Sequence, residues 1–173
     1  MMKRLRTPLA TAAIAIIAIA VIAIASLVAP SWNASAQTAS EDLPIMPETV
    51  DLSQGATLYA ENCAACHGAE LEGQPDWRSP GPDGILPAPP HDDTGHTWHH
   101  SDAVLYNPPA LGGEEVMACM GLPFDSGMPG FADILTPQEI WNILAYIQST
   151  WPDRIQEMQA VRTEAEISAQ GDR

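Results

Sequence analysis

The hydrophobic pattern divides the chain into four parts. Residues 9–29 carry no charge and consist mostly of Ala and Ile, whereas residues 31–50 are small, polar and proline-containing. Beyond them, apolar residues recur at helical spacing. The pattern predicts a signal-anchor or transmembrane segment over 1–30, a flexible linker over 31–50, a folded domain over 51–151, and a helical or partly disordered tail over 152–173.

Near the start of the domain the pattern predicts a helix with Ser53 as its N-cap. Its apolar face consists of Ala56, Tyr59, Ala60 and Cys63. Gly55 lies inside this helix, where glycine costs about 1 kcal/mol relative to alanine. A glycine at this place is expected if a second helix crosses the first one closely.

The second helix is predicted near the end of the domain. Thr136 to Glu139 form a capping box with proline at the first helical position. Apolar residues follow at i, i+3, i+4 and i+7, and Pro152 ends the helix. These residues are Ile140, Ile143, Leu144 and Ile147.

Between these two helices the prediction is less regular. Ser101 to Tyr106 are expected to form a short helix that Ser101 caps and Pro108 ends. Residues 108–127 are expected to form a mostly irregular loop.

Cys63, Cys66 and His67 form a C-x-x-C-H motif, the attachment site of one covalent c-type haem. On one helical turn the two thiols can reach the two vinyl groups of a single haem, and the imidazole can reach the iron. A thioredoxin-like pair usually lies in a βαβ pattern, which is absent from this sequence. Half of a zinc site would need a second ligand pair, but the remaining Cys119 is alone.

Composition and charge limit the kinds of cofactor and partner that the chain is expected to bind. The chain has 16 Pro, 12 Gly and only 2 Phe, so a bound haem would supply apolar bulk that the core lacks. The formal charge is −15, and all 22 acidic residues follow residue 40. Nucleic acid is excluded as a partner, because phosphate binding requires a basic face. The charge suits redox-partner proteins with a basic docking patch.

The N-terminus indicates export. Lys3, Arg4 and Arg6 precede 21 uncharged residues, a length that favours a retained single-pass anchor in the cell membrane. The positive-inside rule then puts the haem domain on the periplasmic side. The alternative is cleavage after Ala36, at the Ala34-Ser35-Ala36 signal, which would give a soluble periplasmic protein.

The domain resembles the small monohaem cytochromes c with His/Met ligation, in a membrane-anchored bacterial form. Gly55 and Tyr59 stand eight and four residues before Cys63, and residues 143–146 match the helix that crosses at the glycine. The resemblance implies an all-α fold in which three to five short helices surround the haem.

The resemblance also implies the iron ligands. His67 would be one axial ligand and Met128, eight residues before Thr136, the other. Met117 and Met120 are alternatives. A proline carbonyl, assigned to Pro89, would accept the second N–H of the axial imidazole and orient the ring.

Four of the five histidines lie within residues 91–100. This loop predicts either a copper or zinc site, a docking or proton-coupled surface, or a haem-edge loop whose side chains, with Trp98, bind propionates and backbone. Cys119 is left over after haem attachment and is expected to be buried, with a dimer disulfide or a surface thiol as alternatives.

Together these features predict an exported electron carrier whose iron cycles between Fe(III) and Fe(II). It would not itself be an enzyme, although it could be a subunit of a respiratory complex. Two other classes stay open: a haem-based ligand-binding or sensor protein, and a copper-handling protein that uses loop 91–100.

Overall fold

The protein is all-helical in the part that the computed structural model describes, residues 43–122 and 125–171. This agrees with the predicted fold class. The predicted N-terminal membrane segment lies outside the described residues. The helices are α1 (Leu52–Asn62), α2 (Ala64–His67), a 3-10 turn (Thr97–His99), α3 (Asp102–Leu111), α4 (Gly113–Cys119), α5 (Pro137–Ser149) and α6 (Asp153–Gly171).

Helix α1 begins earlier than predicted, because Asp51 and not Ser53 is its N-cap. The Asp51 carboxylate accepts a hydrogen bond of 2.9 Å from the Gln54 amide, which satisfies one of the free N–H groups of the first turn. The Asp51 amide donates to Asn142 Oδ1 at 3.0 Å. The cap therefore also ties α1 to α5.

Helices α1 and α5 cross at Gly55, as the sequence predicts. A Cβ atom at Gly55 would lie 2.0 Å from the Asn142 carbonyl oxygen, so only glycine fits without a shift of the backbone. Asn142 is 2% exposed and donates to Gln54 Oε1 at 2.6 Å. The crossing thus combines a close backbone approach with buried polar contacts.

Helix α5 supplies more of the core than any other described helix. Its predicted capping box is present, since Thr136 Oγ1 accepts from the Glu139 amide and Glu139 Oε2 accepts from the Thr136 amide. The Thr136 amide and the Thr136 hydroxyl both donate to the Glu139 carboxylate, and these two bonds lower the pKa of Glu139. The buried core residues of α5 are Ile140, Trp141, Ile143, Leu144 and Ile147, and they pack with Tyr59, Leu71, Leu105 and Trp151.

Two predictions for the middle of the chain are wrong. Helix α3 continues through Pro108 and Pro109 to Leu111, and its last turn closes with a 2.9 Å bond from the Gly112 amide to the Pro108 carbonyl. Each proline removes one backbone N–H donor from the helix. The helix still continues, because the backbone hydrogen bond of its last turn is made. The expected loop over 108–127 also contains α4, which starts directly after Gly112.

Helix α6 packs on the 3-10 turn and is joined to the start of α3 by polar side chains. Gln159, 4% exposed, donates to Asp102 Oδ1 at 2.8 Å. Thr163 Oγ1 accepts from the Asp102 amide at 3.0 Å, and Ser101 donates to Glu166. The tail is therefore attached to the domain by a hydrogen-bond network.

Residues 43–50 lie in the same compact unit as residues 51–171. Residues 43–50 belong to the predicted linker, but the Leu43 amide lies 3.4 Å from Gln170 Oε1 and the Thr49 carbonyl accepts from Gln138 Nε2 at 3.1 Å. Met46 packs against the core. Across 43–122 and 125–171, no helix has both the length and the apolar character needed to cross a membrane.

Candidate haem-binding site

The C-x-x-C-H motif forms a single helical turn directly after α1. The Cys66 and His67 amides both donate to the Cys63 carbonyl, at 3.1 Å and 2.9 Å. Both thiols are free, with Cys63 partly buried and Cys66 exposed. Burial, and then the neighbouring Cys66, raise the pKa of Cys63 to about 11. Two thiols and an imidazole therefore stand together on one turn.

His67 is 7% exposed, and its ring is oriented by a contact with the loop that contains Pro89. His67 Nδ1 lies 2.9 Å from the Pro89 carbonyl oxygen. Because a carbonyl only accepts, Nδ1 carries the hydrogen and Nε2 keeps its lone pair. Burial lowers the pKa of His67, against the opposing effect of the Pro89 bond. The neutral tautomer is the one that binds a metal ion through Nε2.

The loop between His67 and Pro89 depends on tight backbone turns. The Gly73 amide donates to the His67 carbonyl at 2.7 Å. Gly73 has φ +67°, and a Cβ there would lie 2.6 Å from the Pro89 carbonyl carbon and 2.4 Å from Pro90 N. Glycine is thus required where the backbone approaches the acceptor of His67.

Leu71 in the same turn also has a left-handed backbone, with φ 67°. This conformation costs a non-glycine residue about 1–2 kcal/mol. The Leu71 side chain is 4% exposed, and burial of a leucine contributes about 1.5–3 kcal/mol. Core packing therefore offsets the backbone cost and keeps the turn beside the motif.

His91 stacks on His67, with ring centroids 4.0 Å apart and planes 20° from parallel. Burial, and then the proximity of His67 and His96, lower the pKa of His91 to about 3. The sequence assigns His91 only to the histidine-rich loop and does not predict this contact with His67. No local sequence pattern predicts the contact, because a loop of more than 20 residues brings the two rings together.

The other histidines of the loop stack elsewhere. His96 lies parallel to Trp77 at 5.2 Å, His99 lies against Trp98 at 3.7 Å, and His100 meets His96 edge-on at 5.4 Å. Within the described ranges, no group of three or more His, Cys, Asp and Glu side chains is arranged to hold a metal ion.

Met128 is partly buried on a segment that the main chain holds in place. The Gly113 amide donates to the Met128 carbonyl at 2.9 Å, and the Met128 amide donates to Ser126 Oγ at 3.3 Å. The Phe131 amide donates to the Pro109 carbonyl at 2.8 Å. The segment therefore runs along the junction of α3 and α4.

The alternative methionines lie on or just after α4. Met117 is partly buried on that helix, and Met120 is 60% exposed. Cys119, which was expected to be buried, is exposed; its Sγ lies 3.9 Å from Glu115 Oε1 one turn earlier. Helix α4 forms where a loop was expected, and Cys119 at its C-terminal end is exposed.

The donors present fit a covalent haem c. Two unpaired thiols flank one turn, and the adjacent imidazole has its hydrogen on Nδ1 and its lone pair on Nε2. A zinc site would need further ligands, and the described residues around the motif bring none together.

Comparison with known proteins agrees with this donor set. A family model described as Cytochrome c matches residues 52–151, which spans α1 to the end of α5. A search of curated proteins gives no match. The match covers more than half of the chain, so this protein belongs to the cytochrome c family, whose members are haem-based electron carriers.

Proposed function

We propose that the chain is an exported carrier with one haem c, bound covalently by Cys63 and Cys66. When bound, the haem supplies an iron that changes between Fe(III) and Fe(II). The observation that carries this proposal is the His67 geometry: a buried neutral imidazole, hydrogen-bonded through Nδ1, directly beside two free thiols.

His67 and Met128 are proposed as the two axial ligands. The Pro89 carbonyl accepts the Nδ1 hydrogen of His67, which fixes the tautomer and makes Nε2 a better donor. A thioether is a soft ligand that favours Fe(II) over Fe(III). Met128 is preferred to Met120 because it is partly buried on a fixed segment, while Met120 is 60% exposed.

The proposed partners are redox proteins with a basic docking patch. The formal charge of −15 attracts such a surface over long range and speeds encounter at low ionic strength. The proposed location is the outer face of the cell membrane, with residues 1–30 as an anchor. The chain transforms no substrate itself, and it can serve as an electron-transfer subunit of a respiratory complex.

The attachment proposal is tested by producing the full chain in a host that attaches c-type haem. Wild type and Cys119→Ser should keep haem on a denaturing gel, whereas the double variant Cys63→Ser/Cys66→Ser should lose it. Cys119 is the matched control because it is the third free cysteine and is exposed. Haem retained on the double variant would contradict the proposal.

The partner proposal is tested with small redox reagents of opposite charge. Oxidation by a cationic complex should slow as salt is added, and oxidation by an anionic complex should accelerate, because salt screens both interactions. Equal salt dependence for the two reagents would argue against docking guided by the acidic surface.

A further inference from the structure

We propose that His91 is a positioning residue that fixes the plane of the His67 imidazole. The inference rests on the proposed function, in which His67 binds the haem iron through Nε2. It concerns a contact that lies beyond the two thioether positions and the two axial ligands.

The hydrogen bond to Pro89 leaves one motion of the His67 ring open. That bond holds Nδ1 at 2.9 Å from the carbonyl oxygen, but the ring can still swing about the line that joins these two atoms. His91 covers one face of the ring at 4.0 Å, with the two planes 20° from parallel. At this separation the rings are in contact, so a swing toward His91 is blocked.

His91 can act as a stop because it is itself held. Its Nδ1 lies 2.9 Å from Thr97 Oγ1, and Thr97 is 6% exposed. Its amide donates to the Leu71 carbonyl at 2.8 Å, and its carbonyl accepts from Trp151 Nε1 at 2.7 Å. These partners come from three separate parts of the core, so His91 cannot move without disturbing them.

The Thr97 hydroxyl adds a second link to the same loop. Thr97 Oγ1 lies 3.3 Å from the Pro90 carbonyl, next to the peptide group whose oxygen bonds His67. A Cβ at Gly95 would lie 2.1 Å from that Pro90 carbonyl, so the loop is also closely packed from this side. One compact loop therefore provides both the in-plane acceptor and the stacking partner of His67.

A fixed imidazole plane has a measurable consequence. In low-spin ferric haem, the direction of the axial imidazole plane decides how unpaired spin is distributed over the porphyrin. The paramagnetic shifts of the four haem methyl groups report that distribution. Residues that fix the plane therefore alter these shifts without changing the ligand set.

The test is proton NMR of the oxidised, haem-loaded full chain. His91→Phe keeps a flat ring against His67 and should preserve the order and spread of the methyl shifts. His91→Leu removes the ring and should change their order or narrow their spread, with the haem still attached. The matched control is His99→Leu, which alters an exposed histidine of the same loop and should leave the shifts unchanged.

Two results would overturn the inference: a wild-type methyl pattern in His91→Leu, or equal changes in His91→Leu and His91→Phe. If His91→Leu does not retain haem, Thr97→Val decides. Loss of the hydroxyl should move the haem methyl signals away from their wild-type positions, and an unchanged spectrum would again overturn the proposal.

Failure of the proposed function is visible earlier in the same series. Wild-type protein without a low-spin, histidine-ligated haem spectrum would contradict both proposals. A normal wild-type spectrum combined with an unresponsive His91→Leu variant would contradict only the role of His91.

Discussion

The two sides of the proposed haem site are built differently. The His67 side, residues 63–91, fixes its functional ring through side-chain contacts: a hydrogen bond at Nδ1 and a stacked histidine. The Met128 side, residues 109–131, fixes its functional residue through main-chain hydrogen bonds. The first arrangement defines the orientation of a ring, whereas the second defines only where a flexible side chain begins.

This difference suits the two ligands. An imidazole binds in one plane, so its orientation matters, and a stacked neighbour controls that plane. A methionine side chain has three rotatable bonds and adapts to the position of its partner. A firmly held backbone is therefore sufficient on the Met128 side, and we expect that ligand to be displaced more easily.

The largest effect is expected from a substitution at the crossing of α1 and α5, on which both sides of the site depend. In Gly55→Ala the new Cβ would lie 2.0 Å from the Asn142 carbonyl oxygen, so α1 and α5 must separate. Overpacking of this kind is expected to cost about 3 kcal/mol or more of unfolding free energy. Denaturant unfolding of the haem-loaded protein measures it. Ser53→Ala, an exposed change on the same helix, should cost less than about 0.5 kcal/mol; similar costs for the two variants would contradict the close crossing.

The next effect is confined to the His67 side. Gly73→Ala places a Cβ 2.6 Å from the Pro89 carbonyl carbon, so the acceptor of His67 must move. Together with the left-handed backbone, the cost is expected to be about 3 kcal/mol. The methyl shifts of the oxidised haem should change as well.

Gly121→Ala is the control for that variant. Gly121 has the same φ of +67°, but no atom of the described residues lies within 4 Å of its Cβ position. It should show only the backbone cost of about 1–2 kcal/mol. Equal destabilisation by the two substitutions would show that contact with the Pro89 peptide group adds nothing to the cost of Gly73→Ala.

A smaller effect is expected on the Met128 side. Gly130→Ala would bring a Cβ within 2.7 Å of the Leu111 carbonyl group, so the segment must lift from α3. We expect a loss of about 1–3 kcal/mol of unfolding free energy. We also expect a weaker near-infrared sulfur-to-iron absorption band in the oxidised, haem-loaded protein. Among the described residues, a Cβ at Gly127 in the same segment would meet only Ile85, at 3.6 Å, so Gly127→Ala should keep the band. An unchanged band in Gly130→Ala would show that the close contact between this segment and α3 does not position Met128.

The smallest expected effect comes from Ser126→Ala. Ser126 Oγ accepts from the Met128 amide at 3.3 Å, and loss of one such bond costs about 1 kcal/mol. The optical spectrum should stay normal, but added imidazole should displace Met128 at a roughly fivefold lower concentration. An imidazole titration identical to that of the wild type would show that this bond does not hold the segment.

The frame of the fold is predictable because its signals are local. The capping box at Thr136 specifies the start of α5, and the glycine at position 55 marks the point where a second helix crosses α1; both features are present in the structure. The boundaries are less predictable: Asp51 replaces Ser53 as the cap, and α3 passes through Pro108. Tertiary contacts made by Asp51 and by the end of α3 decide those positions.

The candidate site shows the same division. The spacing of Cys63, Cys66 and His67 is a local signal, so these residues could be proposed from the sequence. The stacking of His91 on His67 could not, since it depends on the left-handed turns at Leu71 and Gly73. A non-glycine residue in that conformation has no sequence signature, because core burial compensates for it.

The most direct test of the central claim is the near-infrared spectrum of the oxidised, haem-loaded protein. We predict a weak sulfur-to-iron band in the wild type that is lost in Met128→Ala and retained in Met117→Ala and Met120→Ala. Absence of the band from the wild type near neutral pH, or its survival in Met128→Ala, would contradict ligation of the iron by His67 and Met128.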